Sequence, residues 1–287
     1  MNHRSHVLVI GATGNIGRQV VGQLIAAGVP TRALSRNPEA AELPEGVEVV
    51  AGDLTAPESL DPALRGVESV FLVWTAPPAT VAAVLARIAG TARRMVFLSS
   101  PHQTPHPFFQ QPNPMAALHA GIEREIAASG LASTILRPGM FASNVVPWWA
   151  AQIRAGDVVR WPHAAAASAP VDERDVADVA VRALTDPRHA GAQYVLTGPE
   201  SLTHAEQAGI IGEVIGRRLR YEEMPPDTFR SMVAEGGAPP AVAEMLLDAW
   251  RATVGLPAYV TSTVAELTGR PARTFRQWAA DHAGAFR

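Results

Sequence analysis

Cysteine is absent from the 287-residue chain, which excludes a disulfide framework, a thiolate nucleophile and a thiolate-bound metal. Lysine is absent as well, so all 24 basic residues are arginine. Tyrosine is scarce: Tyr194, Tyr221 and Tyr259 are the only three. No apolar run approaches the ~20 residues of a membrane span. No block of like charge marks a polyanion-binding surface either; the formal net charge is −3. The one basic cluster, GRRLRYEE at Gly216–Glu223, ends in two acids and reads as a solvated strand edge. The N-terminal MNHRSH is polar and leads straight into a strand, so no secretory leader is expected there. These absences point to a soluble, cytoplasmic protein that binds neither nucleic acid nor membrane; a monomer or homodimer is expected.

The chain does have material for a large core, with 47% hydrophobic and 18% charged residues. Short β-rich runs at His6–Ile10, Pro30–Ser35, Val47–Asp53, Val67–Trp74, Arg94–Ser100 and Leu131–Pro138 alternate with helical patterns. Strands apolar on both faces and separated by helices imply a parallel sheet covered on both sides. The fold class is therefore α/β, a doubly wound, Rossmann-like parallel sheet with right-handed crossovers. A smaller, mostly helical C-terminal lobe follows. Residues 1–150 form the sheet domain, to which 172–198 are expected to return, and 151–287 form the substrate lobe.

The stretch VLVIGATGNIGRQV places Gly11, Gly14 and Gly17 between the first strand and a helix. Glycines there let a pyrophosphate approach main-chain N–H groups at a helix N-terminus. The flanking elements are those a dinucleotide loop requires. The second strand ends in ALSRNP, with Arg36 where an acid would select the ribose hydroxyls of NAD. An arginine fork suits a 2′-phosphate instead, so NADP(H) is expected over NAD(H). A solvated surface arginine is the alternative, and Arg18 is a second candidate. Asp53, ending the third strand, would meet the adenine amino group or serve only as a turn residue.

With GATGNIGR, LSRNP, AGDL, FLSS, SGLASTILRPGMFASN and TGRPARTFRQWAADH, the chain resembles the short-chain dehydrogenase/reductase superfamily. Within it, the chain is most similar to the atypical NmrA-like branch, which includes quinone reductases, isoflavone-reductase relatives and redox-sensing regulators. The resemblance spans almost the whole length. It implies cofactor contacts from Gly11, Thr13, Gly14, Asn15, Ile16, Arg36, Asp53, Leu54, Thr75 and Ser99. It also implies contacts from the loop Pro138–Phe141, with Pro138, Gly139 and Phe141 near the nicotinamide. The Tyr-x-x-x-Lys acid used by most of the superfamily is missing.

Two groups stand where that acid would be. His119 lies in MAALHAGIEREI with Glu123 four residues on, and a carboxylate partner would raise its pKa toward general-acid work. A helix-surface ion pair is the alternative. Ser99, ending the fifth strand, could orient a carbonyl. Between them runs SSPHQTPHPFFQQPNP (Ser99–Pro114), which carries five prolines. Proline stiffens a loop, and this one reads as a pocket wall carrying His102, Phe108 and Phe109. Trp74, Phe141, Trp148 and Trp149 add aromatic surface suited to a flat, apolar ligand. No metal is expected, because the histidines lack a ligand spacing.

The sum is an NADPH-dependent reductase of a flat carbonyl, quinone or conjugated small molecule. The rival reading is a non-catalytic NADP(H)-sensing regulator that acts through a protein partner.

Overall fold

The computed structural model describes residues 6–287; the N-terminal stretch up to residue 5 lies outside them. In chain order the elements begin β1 (His6–Ile10), α1 (Asn15–Ala26), β2 (Thr31–Ser35), β3 (Glu48–Ala51) and α2 (Asp61–Leu64). Next come β4 (Val67–Val73), α3 (Val81–Ala89), β5 (Arg94–Leu98), α4 (Pro114–Ala128) and β6 (Ala132–Pro138). Then follow α5 (Val145–Ala155), β7 (Val158–Trp161), β8 (Ala167–Ser168), α6 (Glu173–Thr185) and β9 (Gln193–Leu196). The chain finishes with β10 (Leu202–Thr203), α7 (His204–Ile215), β11 (Arg220–Glu223), α8 (Pro226–Glu235), α9 (Pro240–Arg251), α10 (Thr263–Thr268) and α11 (Phe275–Asp281).

These elements form two compact units that interleave in sequence. The first runs to Ser100 and resumes over Met115–Pro138 and Glu173–Val195; the second takes Pro101–Pro114, Gly139–Asp172 and Leu196–Arg287. The doubly wound sheet expected from the sequence forms, with seven strands in the order β3-β2-β1-β4-β5-β6-β9. The pairs from β3 through β6 are parallel. Leu8 and Val9 of β1, Val70–Leu72 of β4 and Val96–Phe97 of β5 are buried on both faces, as a sheet covered by helices requires. α1 contributes the stripe Ile16, Val20, Val21 and Leu24, and it packs against α6. Each such side chain contributes roughly 1.5–3 kcal/mol through burial.

The second unit is mostly helical, as expected, and adds two short strand pairs. β7 pairs parallel with β11, and β8 antiparallel with β10. None of these four strands exceeds four residues; β11 falls in the basic cluster that reads in sequence as a solvated strand edge, and the other three are too short for a period-2 pattern to show. Its core is aromatic. Trp161 stacks on Trp148 with ring centroids 5.3 Å apart, and Trp250 lies 5.7 Å from each of them.

His204, at the start of α7, is buried in that core between Trp149 and Trp250, at 6.1 and 5.1 Å. Its Nδ1 lies 3.1 Å from the Pro162 carbonyl, so that nitrogen carries a proton. Burial pushes its pKa down to about 4. A folded-state pKa below the unfolded one means stability is fully present above the unfolded pKa of ~6.5 and is lost as pH falls from there toward 4. The loss should reach about 3 kcal/mol, since each tenfold change in proton affinity is worth ~1.4 kcal/mol. Urea melts at pH 7 and pH 4.5 on the wild type and His204→Asn would show it. Equal pH dependence in the two proteins would rule out His204 as the origin.

Candidate functional site

The sheet reverses its winding between β1 and β4, and ligands of such sheets bind beyond the strand C-termini at that switch point. A cavity of about 560 Å³ lies there, within the first unit. It is lined by residues that follow four strands: Gly11, Thr13 and Gly14 after β1, Ser35–Asn37 after β2, Gly52–Thr55 after β3, and Thr75–Pro77 after β4. Two glycines are dictated by geometry. Gly11 has φ +84°, and a Cβ on it would stand 2.8 Å from the Val73 Cβ. A Cβ on Gly17 would stand 2.1 Å from the Gly11 carbonyl oxygen. The first turn of α1 is therefore pressed against the loop. Among the described residues no side chain caps α1, an arrangement that suits anion binding at a helix N-terminus.

Arg36 lines the cavity, exposed, and makes no ion pair among the described residues. Asp53 turns one carboxylate oxygen to the Thr55 N–H, at 2.8 Å. That bond, with the Thr55 side chain and the nearby Arg36 charge, holds its carboxyl below the ordinary range. Of the residues expected at the cofactor, Gly11, Thr13, Gly14, Arg36, Asp53, Leu54 and Thr75 line the cavity. Asn15, Ile16, Gly17, Ser99, Pro138, Gly139 and Phe141 do not. Ile16 points into the core, and Gly17 acts through close packing. Ile10, Leu34, Ala40, Ala41 and Val73 complete the lining; apolar, they carry no sequence signal of their own. Trp74 is a core residue whose Nε1 donates to the Ala76 carbonyl at 2.5 Å. It pins the loop after β4 and offers no face to a ligand.

Ser99 follows β5 and is buried. Its hydroxyl donates to Glu123 Oε1 at 2.5 Å. The same carboxylate accepts from Arg137 Nε at 3.1 Å and from Arg137 Nη2 at 2.6 Å. Glu123 is thus a largely buried residue. Because its proton goes to a carboxylate, Ser99 presents lone pairs and suits a donor on a ligand better than a carbonyl. His119, one turn earlier on α4, is half-buried with its ring edge-on to Phe97, centroids 6.0 Å apart.

The proline-rich loop belongs to the second unit. It is braced internally, with Gln110 Nε2 donating to the Thr104 carbonyl at 2.7 Å and the Phe108 N–H to His106 Nδ1 at 3.3 Å. Phe108 and Phe109 meet edge to face at 5.1 Å. Both line a small pocket of about 10 Å³, together with His106, Gly139, Met140, Ser168, Thr197 and Tyr259. His102, Phe141, Trp148 and Trp149 do not line it. Trp149 has no exposed surface and belongs to the core; Trp148 packs on that core and stays half-exposed. Ser168 and Tyr259 carry no sequence signal for this place, since only the folded chain brings them beside the loop.

A switch-point cavity behind a glycine loop defines a dinucleotide-binding α/β protein. The NmrA-like family model matches residues 3–256, and the chain belongs to that family. It is 42% identical over 286 residues to the (4-alkanoyl-5-oxo-2,5-dihydrofuran-3-yl)methyl phosphate reductase of Streptomyces griseus, covering 98% of this chain and 99% of the relative. It is 35% identical over 287 residues to the NAD(P)H azoreductase of Xenophilus azovorans, with coverage of 98% and 99%. The crystal structure of an NADPH-dependent quinone oxidoreductase from Escherichia coli shares the fold. Its TM-score is 0.80 at 24% identity, over 96% of this chain and 99% of that one.

Proposed function

We propose that this protein is an NADPH-dependent reductase of a flat carbonyl, quinone or other conjugated small molecule. The carrying observation is the switch-point cavity, with Arg36 just past β2 and in no ion pair among the described residues, where a 2′-phosphate would lie. Gly11, Thr13 and Gly14 would hold the pyrophosphate, Arg36 the 2′-phosphate, and Asp53 and Leu54 the adenine end. Thr75 and Ser99 would meet the nicotinamide half, which the switch-point geometry sends across β4 and β5. When bound, NADPH supplies the hydride. His119 supplies the proton. Two relatives of 35% identity or more are named as reductases, which supports turnover over a purely sensing role.

Wild-type protein is expected to bind NADPH more tightly than NADH and to bleach the nicotinamide absorbance when given a panel of quinones and aromatic ketones. Arg36→Ala should lose that preference. A lost charge-assisted contact costs about 1.5–3 kcal/mol, tenfold or more in affinity. Titrating both cofactors into both proteins checks the assignment, and equal wild-type affinities would sink it. Tight NADPH binding with no bleaching by any acceptor would favour the regulator.

A further inference from the structure

The segment between β2 and β3 forms one wall of the switch-point cavity through Ala40 and Ala41. Little holds it there. Its 3-10 turn, Pro38–Ala40, buries no residue. Three hydrogen bonds run within the segment. The Ala41 N–H donates to the Pro38 carbonyl at 3.2 Å, the Glu42 N–H to the Ala40 carbonyl at 3.1 Å, and the Leu43 N–H to the Ala41 carbonyl at 2.8 Å. Among the described residues a single hydrogen bond leads out of residues 38–46, and it comes from Arg18. A wall with so few buried contacts opens at little cost unless something pins it.

Arg18 lies one turn into α1, where its own N–H donates to the Gly14 carbonyl at 2.9 Å. Its Nη1 donates to the Glu42 carbonyl, and its Nη2 lies 3.4 Å from the carbonyl of Thr13 in the glycine loop. Two nitrogens of one planar fork therefore face two backbone oxygens, each in a segment that lines the cavity. A fork suits this task, since its donors keep a fixed geometry where a lysine offers one mobile point charge. Arg18 does not itself line the cavity, and it pairs with no carboxylate among the described residues.

We infer that Arg18 is a positioning residue: it ties the wall carrying Ala40 and Ala41 to the glycine loop, so that a dinucleotide meets both already in place. Holding the two segments beforehand spares the ligand the cost of ordering them. The 2′-phosphate is then left to Arg36, which does line the cavity. The inference rests on the dinucleotide reading of the cavity, and the ligand-free protein tests it apart from that reading.

Arg18→Met keeps an unbranched stem and removes both donors. NADPH and NADH should each bind it about three- to tenfold more weakly, the scale of one net hydrogen bond. The ratio of the two affinities should stay that of the wild type, whereas Arg36→Ala should change it. Arg18→Lys, which keeps one donor, should recover part of the loss. Hydrogen exchange on the ligand-free protein gives a readout independent of any cofactor. In Arg18→Met it should quicken over residues 40–46 and hold its wild-type rate over β1 and β4. A loss confined to NADPH would overturn the inference, because Arg18 would then be a direct ligand of the 2′-phosphate. So would faster exchange throughout the first unit, which marks a general folding role, or affinities and exchange equal to those of the wild type. Should the wild type bind neither cofactor, the dinucleotide reading fails, and exchange in the free variants still decides whether Arg18 holds the wall.

Discussion

Turnover by a His119→Ala variant is expected to fall roughly 10²- to 10⁴-fold, the usual worth of a positioned general acid, while NADPH affinity holds. An imidazole titrates near neutral pH and so can hand over a proton where an arginine cannot. His119 sits half-buried on α4 against Phe97, a β5 residue two positions before Ser99. The end of β5 is on the edge of the sheet at which open α/β folds bind their ligands. Competing donors are few: the chain has no lysine, and Ser99 gives its proton to Glu123. The cofactor contacts proposed for Arg36 and the glycine loop lie elsewhere, so binding should survive the substitution. His119→Gln, which keeps hydrogen bonding but cannot titrate, should be almost as damaged. Steady-state kcat alongside a fluorescence titration of NADPH separates the two effects. A fully active His119→Ala enzyme would transfer the acid role to water or to a substrate phenol.

The first unit is largely legible in the sequence, because its signals are local. Two-sided apolar runs mark the strands, and the Gly11–Gly17 spacing marks the loop. Arg36 stands out because the position ending β2 is fixed by topology. Boundaries slip where backbone geometry, not side-chain pattern, decides them. The helical stretch between β3 and β4 is a 3-10 turn over Pro57–Leu60 followed by the short α2. The second unit is far less legible. Trp149 resembles a ligand-stacking residue in sequence, yet it is buried beside His204. Tyr259 lies far downstream of the cofactor motifs, yet it stands beside a loop 150 residues earlier, with His106 Nε2 and the Pro257 carbonyl 3.0 Å apart. The i+4 spacing of Glu123 suggests a partner for His119. That spacing cannot reveal Arg137, which comes from the next strand. Contacts of this kind depend on tertiary packing, and no periodicity encodes them.

Glu123→Ala is expected to destabilise the first unit by about 3–5 kcal/mol, the cost of breaking a buried ion pair from one side. Arg137 and Glu123 have side chains only 6% and 10% exposed. The guanidinium meets the carboxylate through two nitrogens, at 3.1 and 2.6 Å, a forked geometry that strengthens both bonds. Removing the carboxylate leaves a charge that water cannot reach and deprives the Ser99 hydroxyl of its acceptor. Arg137→Met should cost a similar amount, because it strands the carboxylate instead. The double variant Glu123→Leu/Arg137→Met should recover most of the loss, since an apolar pair carries no desolvation penalty. Urea melts of the four proteins at pH 7 close the cycle, provided their m-values agree. A single-variant loss below about 1 kcal/mol would mean that Arg137 finds other acceptors. With strict additivity in the double variant, the pair would hold no coupling, and the inward orientation of the Ser99 proton would need another cause.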